Sequence, residues 1–200
     1  EISLGLVGSE MCIRDRFYSF LKNQGFSYVQ CIPCLGELHC KTEYQLRPDG
    51  YAKFYKTLYD LWLEDYRKGE YRSISLFDNI LLMLTDRVPN QCGMLGSCNM
   101  QFVVEADGSV YPCDFYVLDE YCCGNVVEHS VEEIGNSDGW KRFWEKKNKT
   151  ERSCEDCPFW KICRGGCKRQ QGSYLWEDGC AYREFLEYAY PTLQIIAREI

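Results

Sequence analysis

Four cysteines stand within the fourteen residues of CEDCPFWKICRGGC, at Cys154, Cys157, Cys163 and Cys167. No other feature limits the chain so sharply. Two thiolates two residues apart can grip one metal centre from a single turn, and Gly165 and Gly166 let the backbone fold closely around an inorganic core. Soft ligands of this kind select zinc or iron–sulfur over hard cations. A zinc ribbon uses two C-x2-C knuckles separated by a longer arm. Here the second pair is C-x3-C and follows after five residues. That crowding is closer to a ferredoxin-style run, whose last cysteine serves a different cluster from its neighbours.

A second group lies upstream, in CGMLGSCNMQFVVEADGSVYPCDF. It reads Cys92-x5-Cys98-x9-Gly108-x4-Cys113, with Asp114 directly after the third thiol. Three thiols are one short of a four-thiolate site. The C-terminal run gives four, and Cys180, after Gly179, gives one more. The total of eight makes two complete sets of four.

The chain holds fourteen cysteines in 200 residues. Disulfide-dense chains are usually short, secreted and poor in core. This one is 46% hydrophobic and shows no secretory signal with a charged head, apolar middle and small-residue cleavage site. Metal-like spacings in such a chain favour a reducing interior and a cytoplasmic location. The net charge of −7 argues against a general nucleic-acid binder, and no apolar run approaches the length of a membrane span. Two histidines, His39 and His129, cannot support a His-rich metal site. No nucleophile elbow is present for a Ser-His-Asp hydrolase.

Along the chain, Glu1 to Arg16 has no clear amphipathic period and looks like a translated sequencing-library end, so residues 1–16 are set aside as a non-native segment, Cys12 with them. Phe17 to Gln24 reads as the end of a helix stopped by Gly25, and Phe26 to Ile32 as a strand ended by Pro33. Residues 35–50 read as a loop with turn chemistry at Pro48, Asp49 and Gly50. Tyr51 to Gly69 is a helix with Phe54, Leu58, Leu61 and Trp62 on one face, and SISLFDNILLMLTD is a second apolar helix. The sequence changes character near Pro89, which divides residues 17–88 from 89–200. A hairpin follows, MQFVVEA and SVYP flanking Asp107-Gly108. HSVEEI and SDGWKRFWEKKN read as helices, with KRFWEKKNK a solvated face. The C-terminal cysteine run is nearly structureless, and the last twenty residues are helical, broken or kinked before Pro191.

The pattern C-x9-G-x4-C, then C-x2-C-x5-C-x3-C, then C, resembles the SPASM domain of radical S-adenosylmethionine (SAM) enzymes. The upstream Cys92 and the tripeptide Cys113-Asp114-Phe115 are closer still to the anaerobic sulfatase-maturating enzymes, as are the segments QFVVEADGSVYPCDFYV and CRGGCKR. The resemblance implies an α+β fold: the tail of a partial (β/α) radical SAM barrel, then a cysteine-rich SPASM domain with a β-hairpin and short helices around two iron–sulfur clusters. It implies that Cys92, Cys98, Cys113 and Cys167 hold a first auxiliary 4Fe-4S cluster, and that Cys154, Cys157, Cys163 and Cys180 hold a second. Such crossed ligation would staple distant segments and contribute to folding as structural zinc does.

Radical SAM chemistry also needs a C-x3-C-x2-C loop, which this chain lacks; Cys31, Cys34 and Cys40 give C-x2-C-x5-C. By the resemblance the chain is a C-terminal fragment, inactive alone, whose absent first half carries a third 4Fe-4S cluster and SAM. Ile32 to Leu35 resembles the end of a late barrel strand, where Leu35 would touch the adenine of SAM; a plain strand end with core residues is the other reading. Cys31 and Cys40 are favoured as ordinary thiols, and Cys122 and Cys123 as small buried hydrophobes.

The implied activity is oxidation of a Cys or Ser of a sulfatase to 3-oxoalanine (formylglycine), on an unfolded sulfatase or peptide substrate, with a flavodoxin or ferredoxin as electron donor. Asp114 matches the general base for the substrate thiol or hydroxyl; spacing alone equally suits a turn aspartate beside the cluster loop. The alternatives are a SPASM maturase of a small ribosomal peptide, and a non-catalytic zinc- or cluster-binding module. Anaerobically purified protein is expected to carry iron and acid-labile sulfide. Zinc without sulfide would overturn the cluster assignment.

Overall fold

The computed structural model describes residues 11–38, 42–145, 154 and 156–200, with side chains from Arg16 onward. Glu1 to Glu10, His39 and Cys40 lie outside the described residues, as does most of the presumed artefactual segment. Its last residues belong to helix α1 (Met11–Asn23), which runs into the segment expected to begin at Phe17. By internal contact the chain divides into Glu1–Leu95 with Thr150–Ile200, and Gly96–Lys149. This differs from a single boundary near Pro89, because the C-terminal helix returns to pack on the helices that precede that point.

In the larger unit, α1 leads to strand β1 (Tyr28–Val29), helix α2 (Pro48–Arg67), strand β2 (Ser73–Ile74) and helix α3 (Ser75–Leu84). β1 and β2 pair in parallel, Tyr28 with Ser73 and Val29 with Ile74, so α2 is the crossover of a βαβ unit. The strand expected over Phe26 to Ile32 is shorter, because only Tyr28 and Val29 find a ladder partner. Helix α2 begins earlier than Tyr51. Pro48 opens it at the position where a missing N–H costs nothing, and Arg47 is extended before it.

Helix α2 buries Tyr51, Phe54, Tyr55, Leu58, Tyr59 and Trp62, spaced three to four residues apart on one face. Leu61 is only partly buried against this core. Against this stripe lies the last helix, α7 (Ala181–Ala197), which buries Tyr182, Phe185, Leu186, Ala189, Leu193 and Ile196. Phe185 is the centre of the assembly. It stacks on Phe77 of α3 at 5.7 Å between centroids and meets Tyr55 at 5.6 Å and Tyr59 at 6.2 Å. Many of these rings are tyrosines, and several donate into the backbone: Tyr59 to the Ala189 carbonyl at 3.4 Å and Tyr55 to that of Cys31 at 3.1 Å.

α7 is one helix through Pro191 and is not broken there. Proline removes one bond to the carbonyl of Glu187. The buried stripe nevertheless continues from Ala189 to Leu193 and Ile196, and packing on both sides holds the halves together. Ahead of α7 in the same unit lie α6 (Trp160–Cys163) and a two-stranded hairpin, β6 (Leu175–Trp176) and β7 (Gly179–Cys180), where the sequence had suggested almost no regular structure.

The smaller unit is a three-stranded antiparallel sheet, β3 (Val103–Val104), β4 (Ser109–Tyr111) and β5 (Gly124–Asn125), with helices α4 (Val131–Gly135) and α5 (Asp138–Glu145). Its core holds Val110, Cys123 and Ile134, and the rings of Tyr116, Tyr121 and Phe143 pack edge to face. Ser130 and Glu133 form a reciprocal capping box on α4. Cys123 is buried, as expected for a small hydrophobe, while Cys122 is half-buried.

Replacing Phe185 by Ala should lower stability by about 3–5 kcal/mol, the range for deleting a buried aromatic ring. The loss would appear as a lower urea midpoint with an unchanged slope. A loss near zero would show that the α2–α7 packing does not govern this unit.

Candidate metal centre

The run from Cys154 to Cys180 is shaped by turns. The Cys157 N–H donates to the Cys154 carbonyl at 3.3 Å, closing the first C-x2-C knuckle, and Trp160 N–H donates to the Cys157 carbonyl at 3.0 Å. Helix α6 ends at Cys163. The next three residues, Arg164, Gly165 and Gly166, all have positive φ, at 48°, 84° and 67°. Such a sequence reverses the chain within one turn, and the Gly166 N–H returns to the Cys163 carbonyl at 2.7 Å. A Cβ on Gly166 would lie 2.1 Å from the Tyr174 hydroxyl oxygen, so only glycine fits. Tyr174 and Gln171 both donate to the Gly165 carbonyl, at 3.3 and 2.9 Å, and lock the turn from behind.

Cys180 arrives from the other direction. It closes the β6–β7 hairpin opposite Leu175 and is at the same time the N-cap of α7, its sulfur accepting the Arg183 N–H at 3.3 Å. Burial raises the Cys180 thiol, the N–H groups of Arg183 and Tyr182 oppose that rise, and Cys154 and Cys157 reinforce it. Burial likewise pushes the Cys163 thiol up to about 12, against an N–H from Gly165 and with Cys157, Cys180 and Cys154 adding to it. Cys154, Cys157 and Cys180 all lie close enough to Cys163 to act on it, so the four sulfurs share one neighbourhood. A positive core there would stabilise thiolates, and backbone N–H groups are already aimed at the Cys163 and Cys180 sulfurs. The donor set fits an iron–sulfur cluster.

Among the described residues, no three His, Cys, Asp or Glu side chains close tightly enough to hold a single metal ion.

Cys92 and Cys167 also lie in the larger unit. Asn79, buried on α3, accepts the backbone N–H groups of Asn90 and Gln91 at 2.6 and 3.0 Å and so fixes the entry to a 3-10 turn at Cys92–Met94. A Cβ on Gly93 would meet the Cys167 Cβ at 3.0 Å and its backbone nitrogen at 3.1 Å, so the two segments touch. The Arg164 guanidinium donates to the Leu95 carbonyl at 3.3 Å beside them.

Cys98 and Cys113 belong to the smaller unit. Gly108 makes the turn with φ 86°, its N–H returning to the Glu105 carbonyl at 2.9 Å, and the Asp107 carboxylate accepts the Ser109 N–H at 2.9 Å. The Gln101 N–H donates to the Pro112 carbonyl at 2.9 Å. The stretches bearing Cys98 and Cys113 therefore leave the hairpin together at the end away from its turn. Asp114 opens a 3-10 turn, is exposed, and its Oδ1 accepts from the Cys113 thiol at 3.3 Å.

Leu35 is half-buried in an irregular segment after β1. Cys31 packs against the main core, and burial pushes its thiol up to about 12, as suits an ordinary core cysteine. His129 serves a turn beside β5, its Nδ1 accepting the Asn125 N–H at 3.2 Å. Sequence reasoning missed the tyrosines around the C-terminal thiols, Tyr51, Tyr174 and Tyr182. The helical spacing of Tyr182, Phe185, Leu186 and Ala189 was the signal that would have placed Tyr182 inside.

Gly166→Ala should leave the protein with less iron and sulfide per chain, because the turn after Cys163 cannot close on Tyr174. Gly135→Ala is the control, since a Cβ there meets nothing within 4 Å. Equal iron in both variants would show that the turn does not shape the centre.

Residues 92–158 match the family SPASM, an iron-sulfur cluster-binding domain. The cysteine-type anaerobic sulfatase-maturating enzyme of Clostridium perfringens (strain 13 / Type A) is 40% identical over 197 residues, covering 93% of this chain and 53% of that protein. That of Clostridium novyi (strain NT) is 41% identical over 160 residues, 78% of this chain and 43% of the relative. The serine-type anaerobic sulfatase-maturating enzyme of Bacteroides thetaiotaomicron is 24% identical over 210 residues, 92% of this chain and 50% of the relative. The solved structure of native anSMEcpe with bound AdoMet and Kp18Cys peptide superposes with a TM-score of 0.83 at 38% identity, covering 93% of this chain and 54% of that one. The chain thus spans about half the length of the curated relatives it matches. In sequence and in fold it is a relative of the anaerobic sulfatase-maturating enzymes over that half, and its residues 92–158 match the SPASM iron–sulfur family.

Proposed function

We propose that this chain acts within a longer radical SAM enzyme that oxidises a cysteine of a sulfatase to 3-oxoalanine. The observation that carries the reading is identity of 40% across 93% of the chain to a cysteine-type maturase, against 24% to a serine-type one. The substrate preference for Cys over Ser rests on that difference. An unfolded sulfatase segment or peptide is the substrate in this reading, supported by the Kp18Cys peptide bound to the solved relative.

In this reading Cys154, Cys157, Cys163 and Cys180 hold one 4Fe-4S cluster, and Cys92, Cys98, Cys113 and Cys167 hold another. The mutual electrostatics of the first four thiols support the former, and the contact of Gly93 with Cys167 supports the pairing of Cys92 and Cys167 in the latter. A cluster bound there supplies a one-electron acceptor. SAM and a third 4Fe-4S cluster belong to the part of the relatives that this chain does not span, with Leu35 as a contact to the adenine, and a flavodoxin or ferredoxin as the electron donor.

Asp114 is the proton acceptor. Its carboxylate is exposed rather than consumed by a buried ion pair, so it is open to a substrate thiol. Its contact with the Cys113 sulfur is released when Cys113 becomes a thiolate ligand, because a deprotonated sulfur no longer donates. The base then stands one residue from a cluster ligand.

In a full-length enzyme carrying these residues, Asp114→Asn should keep its iron and sulfide while formylglycine formation falls by roughly 10²–10⁴-fold, the usual worth of a positioned base. The product is counted by mass spectrometry of a sulfatase-derived peptide. Unchanged turnover would refute the role.

A further inference from the structure

Tyr182 stands on the first turn of α7, two residues after Cys180, and is 4% exposed. Its ring lies among those of Tyr51, Tyr174 and Phe185, at centroid distances of 6.1, 5.9 and 6.5 Å. Its hydroxyl oxygen is fully enclosed and meets no hydrogen-bond partner among the described residues. Neighbouring tyrosines differ: Tyr55, Tyr59 and Tyr174 each donate to a backbone carbonyl. A buried hydroxyl without a partner is costly and rare, and it points to an acceptor outside the described residues. The core that contains Tyr182 has Cys157, Cys163 and Cys180, thiols of the candidate centre, packed against it.

We propose that the Tyr182 hydroxyl donates a hydrogen bond to a sulfur of the cluster held by Cys154, Cys157, Cys163 and Cys180, and thereby sets that cluster's reduction potential. The inference rests on the assignment of those four cysteines as ligands. A donor on a cluster sulfur withdraws electron density from the iron and favours the reduced form, so the potential rises. Phenylalanine would fill the same space with no proton to give. Tyr182 is a positioning residue, since it acts through the cluster and not on the substrate.

The test uses the full chain, purified anaerobically with its clusters assembled, beside Tyr182→Phe. Iron and sulfide are measured, then each protein is titrated potentiometrically with electron paramagnetic resonance as readout. The expected result is equal iron, with the potential of one cluster shifted to a more negative value in Tyr182→Phe. Equal iron with unchanged potentials overturns the proposal and leaves the ligand assignment standing. Cys163→Ala separates the two: undiminished iron and sulfide in that variant would overturn the ligand assignment itself, and the proposal with it. Should Tyr182→Phe fail to assemble, the otherwise wild-type chain carrying tyrosine deuterated at ring positions 3 and 5 at position 182 alone decides. A deuteron coupling to the reduced cluster in pulsed double-resonance spectra supports the proposal, and its absence overturns it.

Discussion

A buried sulfur that is to carry negative charge needs donors already aimed at it, and much of the larger unit follows from meeting that need at Cys180. Its sulfur accepts the Arg183 N–H at the very start of α7. The bond satisfies one of the orphan donors that every helix start exposes. It also sets where α7 begins, and so which residues of α7 face α2 and α3. Tyr182, Phe185, Ala189 and Leu193 fall into the core because the helix starts where it does. The placing of the Cys180 sulfur and the packing of the core therefore meet at one hydrogen bond. Cys163 meets the same need differently, through a glycine turn that brings the Gly165 N–H back onto the sulfur.

Spacing groups Cys154, Cys157, Cys163 and Cys167 as one run, and only the family resemblance exchanges Cys167 for Cys180. Cys154, Cys157 and Cys180 all lie close enough to Cys163 to act on it. Helices α2, α3 and α5 and the Asp107-Gly108 hairpin were legible from periodicity and turn chemistry, and α4 from the helical reading of HSVEEI. The boundaries were less so. Pro48 looked like a turn residue and proved to be the first residue of α2, since proline suits both places. Pro191 looked like a break, but a helix buried on both sides of a proline has packing to oppose the kink. The β6–β7 hairpin was invisible because its strands are two residues long and offer no period to detect.

The division of the chain was the deepest difference. A shift in composition near Pro89 marks where cysteines and glycines take over, but composition says nothing of what packs on what. The C-terminal helix has an apolar stripe that packs on α2 and α3, which joins it to the earlier unit. Cys98 and Cys113 are left on one unit and Cys92 and Cys167 on the other. Long-range pairing of this kind is set by complementary faces, which a local reading of sequence does not weigh.

The narrow sequence span from Cys154 to Cys180 has a kinetic meaning. Gathering these thiols requires closing only short loops, whose entropic cost is small and grows slowly with length. The bond from Tyr59 to Ala189 spans 130 residues, and the β1–β2 pairing encloses a whole helix. Contacts that distant form slowly. In the proposed reading the inorganic core would thus be acquired before α7 docks, as a template on which the last helix is nucleated rather than as cargo added to a finished protein.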